Sequence, residues 1–246
     1  MHLTVLTGAS RGLGRALLDH LLQQDHHVLA LSRGSIDAGP GHCGQLTHWA
    51  VDLADAAPTA QHLAAWLADW DTTTLTSATL INNAGVVSQL APLSEVAPSD
   101  LVNALRVGLE APTLLTAAFL KATARWPVPR KVVLVSSGLG RKAMAASASY
   151  CAAKAGLDHL ARAVALEEAS KPGGARIVSL APGVIDTDMQ VQLRSADPGR
   201  FPDRQRFTEL KSAGQLDSPA AAATKLLAYL NRADFGHNPV ADVRDV

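Results

Sequence analysis

Short apolar runs alternate with longer amphipathic stretches along the chain. The apolar runs, rich in valine, leucine and isoleucine, cover residues 3–6, 28–31, 46–51, 80–81, 132–135 and 177–180. The amphipathic stretches are long enough for helices and cover residues 12–24, 57–70, 99–124, 150–170 and 218–230. This alternation is typical of repeated β-α-β units. It predicts one doubly wound α/β domain spanning residues 1–246, with a parallel sheet and helices on both faces.

Four motifs directly follow predicted strands. They are the glycine-rich turn at 7–14, the stretch 82–85, the pair Ser136-Ser137 and the pair Pro182-Gly183. In open parallel sheets the carboxyl ends of the strands face one crevice, where ligands bind. The four motifs are therefore predicted to meet at one binding site.

The segment 186–215 breaks the alternation. It contains Pro198, Gly199 and Pro202. Its positive side chains are Arg194, Arg200, Arg204, Arg206 and Lys211. A segment of this length after a strand end is either a lid that closes over substrate or an ordinary solvated excursion. The sequence leaves both interpretations open.

The composition excludes several classes of function. The 246 residues carry a formal net charge of zero, so no overall field favours nucleic acid or a membrane surface. No apolar stretch approaches the roughly 20 residues needed to cross a bilayer. The nine histidines and two cysteines form no metal-ligand pattern, and so few thiols argue against a disulfide-stapled secreted fold. Two residues before the first strand are too few for a signal peptide, so we expect a cytoplasmic protein.

A glycine-rich turn, TGASRGLG at residues 7–14, joins the first predicted strand to the first predicted helix. Glycines here permit a tight turn, let the backbone approach a pyrophosphate and let the helix pack on the strand. The helix N-terminus offers free N–H groups to phosphates. These features predict a Rossmann-type dinucleotide site, although such turns also occur as ordinary helix starts. The predicted contacts are Gly8, Ser10, Arg11, Gly12, Leu13 and Gly14.

The end of the second predicted strand indicates which dinucleotide binds. Sites for NAD usually carry an acidic residue here, whereas this chain has Ser32 and Arg33. A hydroxyl and a guanidinium suit the 2′-phosphate of NADP(H), and Arg11 would supply a second positive charge. NADP(H) is therefore predicted over NAD(H). After the third strand, Asp52 and Leu53 either contact the adenine or start the next turn.

Tyr150 and Lys154 lie four residues apart in a predicted helix, so their side chains share one face. A nearby ammonium stabilises a phenolate, which lowers the pKa of tyrosine and makes it a usable proton donor. Ser137 follows the fifth predicted strand, where its hydroxyl would polarise a substrate carbonyl. Each residue alone is ordinarily structural. Together with the glycine turn they predict hydride transfer to a carbonyl, with Lys154 also binding the cofactor.

The order of these motifs resembles the short-chain dehydrogenase/reductase family over essentially the whole chain. The motifs are TGASRGLG at 7–14, NNAG at 82–85, Ser137, YCAAK at 150–154 and PGVIDT at 182–187. The resemblance implies that Ser137, Tyr150 and Lys154 are catalytic. It implies a homodimer packed through the helices that carry Gly108 and Tyr150. It also implies cofactor contacts at Asn83, Ala84, Gly85, Pro182, Gly183, Val184 and Thr187.

One position departs from the family pattern. Relatives carry an asparagine in a pattern like VNLxG, where this chain has Val107-Gly108-Leu109. In the family that asparagine contributes mainly through a backbone carbonyl that holds a water near the lysine. Gly108 would still provide the carbonyl. Asn103 lies on a different helical face and is no obvious substitute.

The C-terminal half is most similar to sepiapterin reductases and bacterial benzil reductases. The similar stretches are 165–168, 181–190, 209–211 and 240–245. This resemblance implies that Asp242 anchors the substrate, as an aspartate does for the pterin of sepiapterin reductase. The alternative is a solvent-exposed aspartate on a terminal strand. Met144, Met189 and the region of Leu139 would line an apolar pocket for a flat dicarbonyl or pack in the core.

The sequence therefore predicts an NADPH-dependent carbonyl reductase acting on a ketone or vicinal dicarbonyl. Pterin, benzil-like and isatin-like substrates remain open. One alternative is a catalytically weak protein that senses NADP(H), which the missing asparagine favours and the intact Ser137, Tyr150 and Lys154 oppose. The other is an alcohol or sugar dehydrogenase of the same family.

Overall fold

Seven strands form one sheet in the computed structural model, which describes residues 1–39 and 41–245. They are β1 His2–Thr7, β2 His26–Ser32, β3 Gln45–Ala50, β4 Ser77–Asn82, β5 Arg130–Val135, β6 Arg176–Ala181 and β7 Val240–Asp242. Their order is β3-β2-β1-β4-β5-β6-β7, and every neighbouring pair is parallel. The prediction of a doubly wound α/β domain is confirmed. β7, the terminal strand that carries Asp242, has no apolar run of its own in the sequence, because three residues are too few to show a pattern.

Within the described residues, eight α-helices connect the strands. They are α1 Gly12–Leu22, α2 Ala56–Ala68, α3 Pro98–Leu105, α4 Ala111–Ala122, α5 Ala148–Ala169, α6 Asp188–Ser195, α7 Arg204–Ser212 and α8 Pro219–Leu230. A π-helical turn, Arg106–Glu110, separates α3 from α4. The predicted helical stretch 99–124 is helical without a break over 98–122, with this π-helical turn inside it.

Apolar side chains pack on both faces of the sheet. On one face the strands pack against α2, α4 and α5, and on the other they pack against α1 and α8. Alternation along β1 serves both faces, since Leu3 and Val5 belong to the first cluster and Leu6 to the second. Burial on both faces explains why the strands appear in the sequence as continuous apolar runs.

The segment 186–215 contains α6 and α7 and has a small apolar core. Leu193 of α6, Phe207 of α7 and the intervening Phe201 pack with Leu90. The ring centroids of Phe201 and Phe207 are 5.8 Å apart. Phe201 is fully buried, and such burial stabilises a fold by about 1.5–3 kcal/mol. The segment is thus more regular than its sequence indicates, and its action as a lid stays a prediction.

Gly108 lies in the π-helical turn and is buried against α5. A Cβ at this position would lie 3.0 Å from the Cβ of Ala153, which is closer than nearly all real Cβ contacts. Ala153 stands between Tyr150 and Lys154 in α5. The absence of a side chain at Gly108 therefore lets the π-helical turn approach the helix that carries the predicted catalytic pair.

Three further observations concern membrane spans, metal sites and thiols. Among the described residues, no helix is both long and apolar enough to cross a membrane. Within residues 1–39 and 41–245, no group of three or more His, Cys, Asp or Glu side chains is placed to hold a metal ion. Cys43 and Cys151 are free thiols, the first exposed and the second half-buried.

Candidate active site

A cavity of ≈ 1260 Å³ opens at the carboxyl ends of the strands. It reaches from the end of β2 to the end of β7 and passes the point where β1 and β4 lie side by side. The predicted site residues that line it are Gly8, Ser10, Arg11, Gly12, Leu13, Gly14, Ser32, Arg33, Asp52, Leu53, Asn83, Ala84, Gly85, Ser137, Tyr150, Lys154, Pro182, Gly183, Val184, Thr187 and Asp242. Leu139, Met144 and Met189 also line it. The structure therefore brings all the predicted positions together.

The turn between β1 and α1 is shaped by its glycines. Gly8 has φ +69°, a left-handed conformation that favours glycine. A Cβ on Gly14 would lie 2.0 Å from the carbonyl oxygen of Gly8, so a larger residue does not fit there. Arg11, which precedes α1, makes no side-chain cap, so the first N–H groups of α1 stay available at the cavity. These features fit the phosphates of a dinucleotide.

The glycine turn meets the start of α6 across the cavity. The Nη1 atom of Arg11 lies 3.0 Å from Oδ2 of Asp188, and both side chains are largely exposed. A Cβ on Gly12 would lie 3.3 Å from Cγ2 of Thr187. An exposed ion pair of this kind contributes at most about 1 kcal/mol, so a bound phosphate can compete with Asp188 for Arg11.

Asn83 connects the end of β4 to the glycine turn. Its side-chain amide donates hydrogen bonds to the carbonyl oxygens of Thr7 and Gly8, at 3.0 and 3.2 Å. The backbone N–H groups of Asn83 and Ala84 both donate to the Thr7 hydroxyl, each at 2.9 Å. The Asn83 amide is thus occupied in holding the turn, and its direct contact with a cofactor stays a prediction.

The end of β2 presents one buried hydroxyl and one exposed guanidinium. The Ser32 hydroxyl donates to the carbonyl oxygen of Gly34 at 2.9 Å and lies 3.0 Å from Nε2 of His48. His48 was not singled out from the sequence, because its approach depends on the pairing of β2 with β3. Arg33 is exposed, and its guanidinium makes no hydrogen bond or ion pair with the part of the chain that the structure describes. Its charge is therefore available at the cavity for an anion.

The carboxylate of Asp52 acts locally. One of its oxygens accepts a hydrogen bond from the backbone N–H of Ala54 at 3.0 Å. This contact caps the short helical turn that begins at Leu53. The turn-starting interpretation of Asp52 thus describes its contact, while its position at the cavity leaves the adenine contact as a prediction.

Tyr150 and Lys154 lie one turn apart near the start of α5. The Nζ atom of Lys154 donates to the carbonyl oxygen of Val135 at 2.7 Å and lies 5.5 Å from the centre of the Tyr150 ring. Burial lowers the pKa of Lys154 to about 8, opposed by the carboxylate of Asp158. Burial also raises the pKa of Tyr150 to about 12, opposed by the Ser137 hydroxyl. The expectation of a lowered tyrosine pKa is therefore wrong for the chain by itself, because desolvation of the phenol outweighs the opposing hydrogen bond from Ser137.

Ser137 is the second residue after β5 and is half-buried at the cavity. Its hydroxyl oxygen accepts a hydrogen bond from the backbone N–H of Leu139 at 3.2 Å. Its hydroxyl also hydrogen-bonds toward the Tyr150 phenol, whose pKa this contact lowers, so both groups face one region of the cavity. Ser136 differs, because it is buried and donates to Asp158 at 2.7 Å.

Asp242 ends β7 at the far side of the cavity and is buried. Its carboxylate accepts three hydrogen bonds from Arg244, one from the backbone N–H and two from the guanidinium. Burial alone would raise the pKa of Asp242, but these hydrogen bonds outweigh burial and lower it. The alternative of a solvent-exposed aspartate is therefore wrong. The predicted contact of Asp242 with substrate stays a prediction, and in this structure the carboxylate oxygens are already hydrogen-bonded to Arg244.

A family model for short chain dehydrogenases matches residues 2–198. The chain belongs to the short-chain dehydrogenase family. It is 31% identical over 244 residues to "Benzil reductase ((S)-benzoin forming)" of Bacillus cereus, covering 98% of each chain. It is 34% identical over 257 residues to sepiapterin reductase of Meriones unguiculatus, covering 98% of this chain and 95% of the relative. The crystal structure of the KRED1-Pglu enzyme is 26% identical, covers 98% of this chain and 100% of that one, and superposes with a TM-score of 0.80. The family resemblance seen in the sequence is confirmed, and the chain is a short-chain oxidoreductase.

Asp158 of this short-chain dehydrogenase is a buried carboxylate that the sequence pattern did not indicate. Asp158 accepts hydrogen bonds from the hydroxyls of Ser136 and Ser179, both at 2.7 Å. The Nε atom of Arg141 lies 3.2 Å from its second oxygen. Asp158 therefore joins α5 to β6 and to the loop that carries Ser137. Its spacing of four residues from Lys154 is a signal that could have found it, since it continues the helical face of Tyr150 and Lys154.

Proposed function

We propose that the chain is an NADPH-dependent carbonyl reductase that transfers hydride to a ketone or a vicinal dicarbonyl. The observation that carries this proposal is the placement of Ser137, Tyr150 and Lys154 in the same cavity as the uncapped N-terminus of α1. The three polar residues can polarise and protonate a carbonyl, and the N-terminus of α1 can bind a dinucleotide. The similarity to benzil and sepiapterin reductases supports a carbonyl substrate.

The preference for NADPH is argued from the end of β2. Arg33 is exposed at the cavity and carries an available guanidinium, which pairs well with a phosphate. An NAD site usually has an acidic residue at the end of this strand, and this chain has Ser32 and Arg33 there instead. The cofactor would be bound jointly by Arg33, by the first N–H groups of α1 and by the glycine turn that Asn83 holds in place.

The chemistry follows from the states of the polar groups. A bound nicotinamide supplies the hydride. Tyr150 keeps its proton at neutral pH because its pKa is raised to about 12, so the phenol can donate that proton to the oxygen of the reduced carbonyl. Ser137 donates a hydrogen bond to the same oxygen and stabilises its growing negative charge. Lys154, held by the carbonyl of Val135, stabilises the phenolate that remains.

A homodimer and a cytoplasmic location belong to the same proposal. Val102 and Leu105 of α3 and Leu166 of α5 are exposed large apolar side chains, which fits helices that pack against a second subunit. The two free thiols fit a reducing compartment.

The test is steady-state oxidation of NADPH and NADH by the purified protein, with benzil, sepiapterin and a simple ketone as acceptors. Turnover of a dicarbonyl with a strong preference for NADPH would support the proposal. Tight binding of NADPH without turnover of any acceptor would favour a protein that senses the cofactor. Oxidation of alcohols or sugars with NADP⁺, without reduction of these carbonyls, would favour a dehydrogenase.

Replacing Asp158 with asparagine should move the alkaline limb of the kcat/KM profile to lower pH by about one unit. The carboxylate raises the pKa of Lys154 against the lowering effect of burial. Without it, the ammonium loses its proton at a lower pH and no longer stabilises the Tyr150 phenolate. The measurement is the pH dependence of carbonyl reduction, together with thermal melting to verify folding.

Ser179→Ala is the matched control for Asp158→Asn. It removes one hydroxyl from the same carboxylate at 2.7 Å but keeps the negative charge. We expect its pH profile to stay at the wild-type position. Superimposable profiles for Asp158→Asn and wild type would contradict a role for the Asp158 charge.

A further inference from the structure

Both carboxylate oxygens of Asp242 accept hydrogen bonds from Arg244 of the same chain. The guanidinium of Arg244 donates from Nε to Oδ1 at 2.8 Å and from Nη2 to Oδ2 at 2.6 Å. The backbone N–H of Arg244 adds a third hydrogen bond at 3.0 Å. The side chain of Asp242 is 8% exposed and that of Arg244 is 60% exposed. Both residues line the cavity that holds Ser137, Tyr150 and Lys154.

A buried carboxylate whose two oxygens face the cavity suits ligands that carry two parallel N–H donors. Its two oxygens receive a planar pair of parallel N–H donors. An aminopyrimidine ring, as in a pterin, offers such a pair through its amino group and its neighbouring ring N–H. The guanidinium of Arg244 offers the same pair from within the chain, so Arg244 and an aminopyrimidine would compete for the same two oxygens of Asp242.

The competition favours Arg244. Its hydrogen bonds join two opposite charges and are stronger than those from a neutral ring. It is tethered two residues from Asp242, so its pairing requires no loss of a second molecule's translational freedom. A pterin would have to displace it and leave the guanidinium without its partner. A neutral diketone carries no N–H donors and needs no contact with Asp242.

We propose that Arg244 is a specificity-determining residue, which closes Asp242 to aminopyrimidine ligands and thereby favours neutral ketones and diketones over pterins. This inference rests on the proposed carbonyl reductase function and assigns the substrate class of the same site.

The test compares reduction of sepiapterin, a pterin with a ketone side chain, and of benzil by wild type and by Arg244→Met. Methionine has a similar length and no N–H donor. We expect the ratio of kcat/KM for sepiapterin to that for benzil to rise about tenfold, the effect of one charge-assisted hydrogen bond. The double variant Asp242→Asn with Arg244→Met should lose this gain, because the released carboxylate is gone.

Arg232→Met is the matched control. Arg232 makes a similar two-bond pair with Asp234, at 2.8 and 2.9 Å, but neither residue lines the cavity. Its ratio should equal that of wild type. In Arg244→Met, the guanidinium of Arg141 stays nearby, bonded to the carbonyl of Ala241 at 2.9 Å, and offsets part of the released charge. Thermal melting of each variant verifies that it is folded.

An unchanged ratio in folded Arg244→Met would overturn the inference, as would a gain that survives in the double variant. If wild type reduces neither compound, the proposed function fails, and a second readout keeps the question about Arg244 separate. Titration of wild type and Arg244→Met with pterin, followed by its fluorescence, measures binding without reduction. Tighter binding to Arg244→Met would support the role of Arg244, and equal binding would refute it.

Discussion

Tyr150→Phe should lower kcat for carbonyl reduction by about a hundredfold to ten-thousandfold, the usual contribution of a positioned proton donor. The change removes only the phenolic oxygen and keeps the ring that packs beside Lys154. NADPH should bind almost as tightly as to wild type, because the glycine turn and Arg33 are untouched. The measurement pairs steady-state reduction of a dicarbonyl with a fluorescence titration of NADPH.

Tyr229→Phe is the control for this loss. Tyr229 is the chain's other tyrosine and packs against Phe235, with ring centroids 6.2 Å apart. It is not among the residues that line the cavity. Its replacement should leave kcat near the wild-type value. Retention of full activity by Tyr150→Phe would show that the proton comes from another group.

Arg33→Ala should raise the KM for NADPH by about tenfold to a hundredfold and leave the KM for NADH nearly unchanged. The reason is that a guanidinium–phosphate contact is worth about 1.5–3 kcal/mol, and only NADPH carries the 2′-phosphate. Arg33 is exposed at the end of β2 and pairs with no carboxylate among the described residues. The side chain can therefore be removed without breaking an internal contact. Initial rates with each cofactor, at saturating carbonyl substrate, give the comparison.

Arg15→Ala separates a local contact from a general loss of positive charge. Arg15 lies in α1, pairs with Asp19 at 2.8 Å and does not line the cavity. Its removal changes the net charge by the same amount as Arg33→Ala. Both KM values should stay at wild-type levels. An equal weakening of NADPH and NADH by Arg33→Ala would instead exclude a 2′-phosphate contact.

The sequence predicts the location of this site well, because the positions of its residues follow from topology. Ser137 is the second residue after β5, and the glycine turn begins at the end of β1. A parallel sheet brings all such positions to one edge, whatever the details of packing. Tyr150 and Lys154 need only one additional rule, the helical spacing that places both on one face of α5.

Contacts between distant side chains could not be predicted in this way. The core of the segment 186–215 requires Leu90, which is far away in sequence. The protonation of Tyr150 depends on how completely the fold removes water from its phenol, and no local pattern encodes that removal. The pairing of Asp242 with Arg244 depends on β7, a strand too short for the pattern to show.

The close approach of Gly108 to Ala153 couples the effects of substitutions at these two positions. A Cβ at Gly108 would lie 3.0 Å from the Cβ of Ala153, so either the π-helical turn or α5 would have to shift by a few tenths of an ångström. A shift of α5 would move Tyr150 and Lys154 together. The effect of a substitution at Gly108 is therefore expected to depend on the residue at position 153, so the two sites are expected to show epistasis.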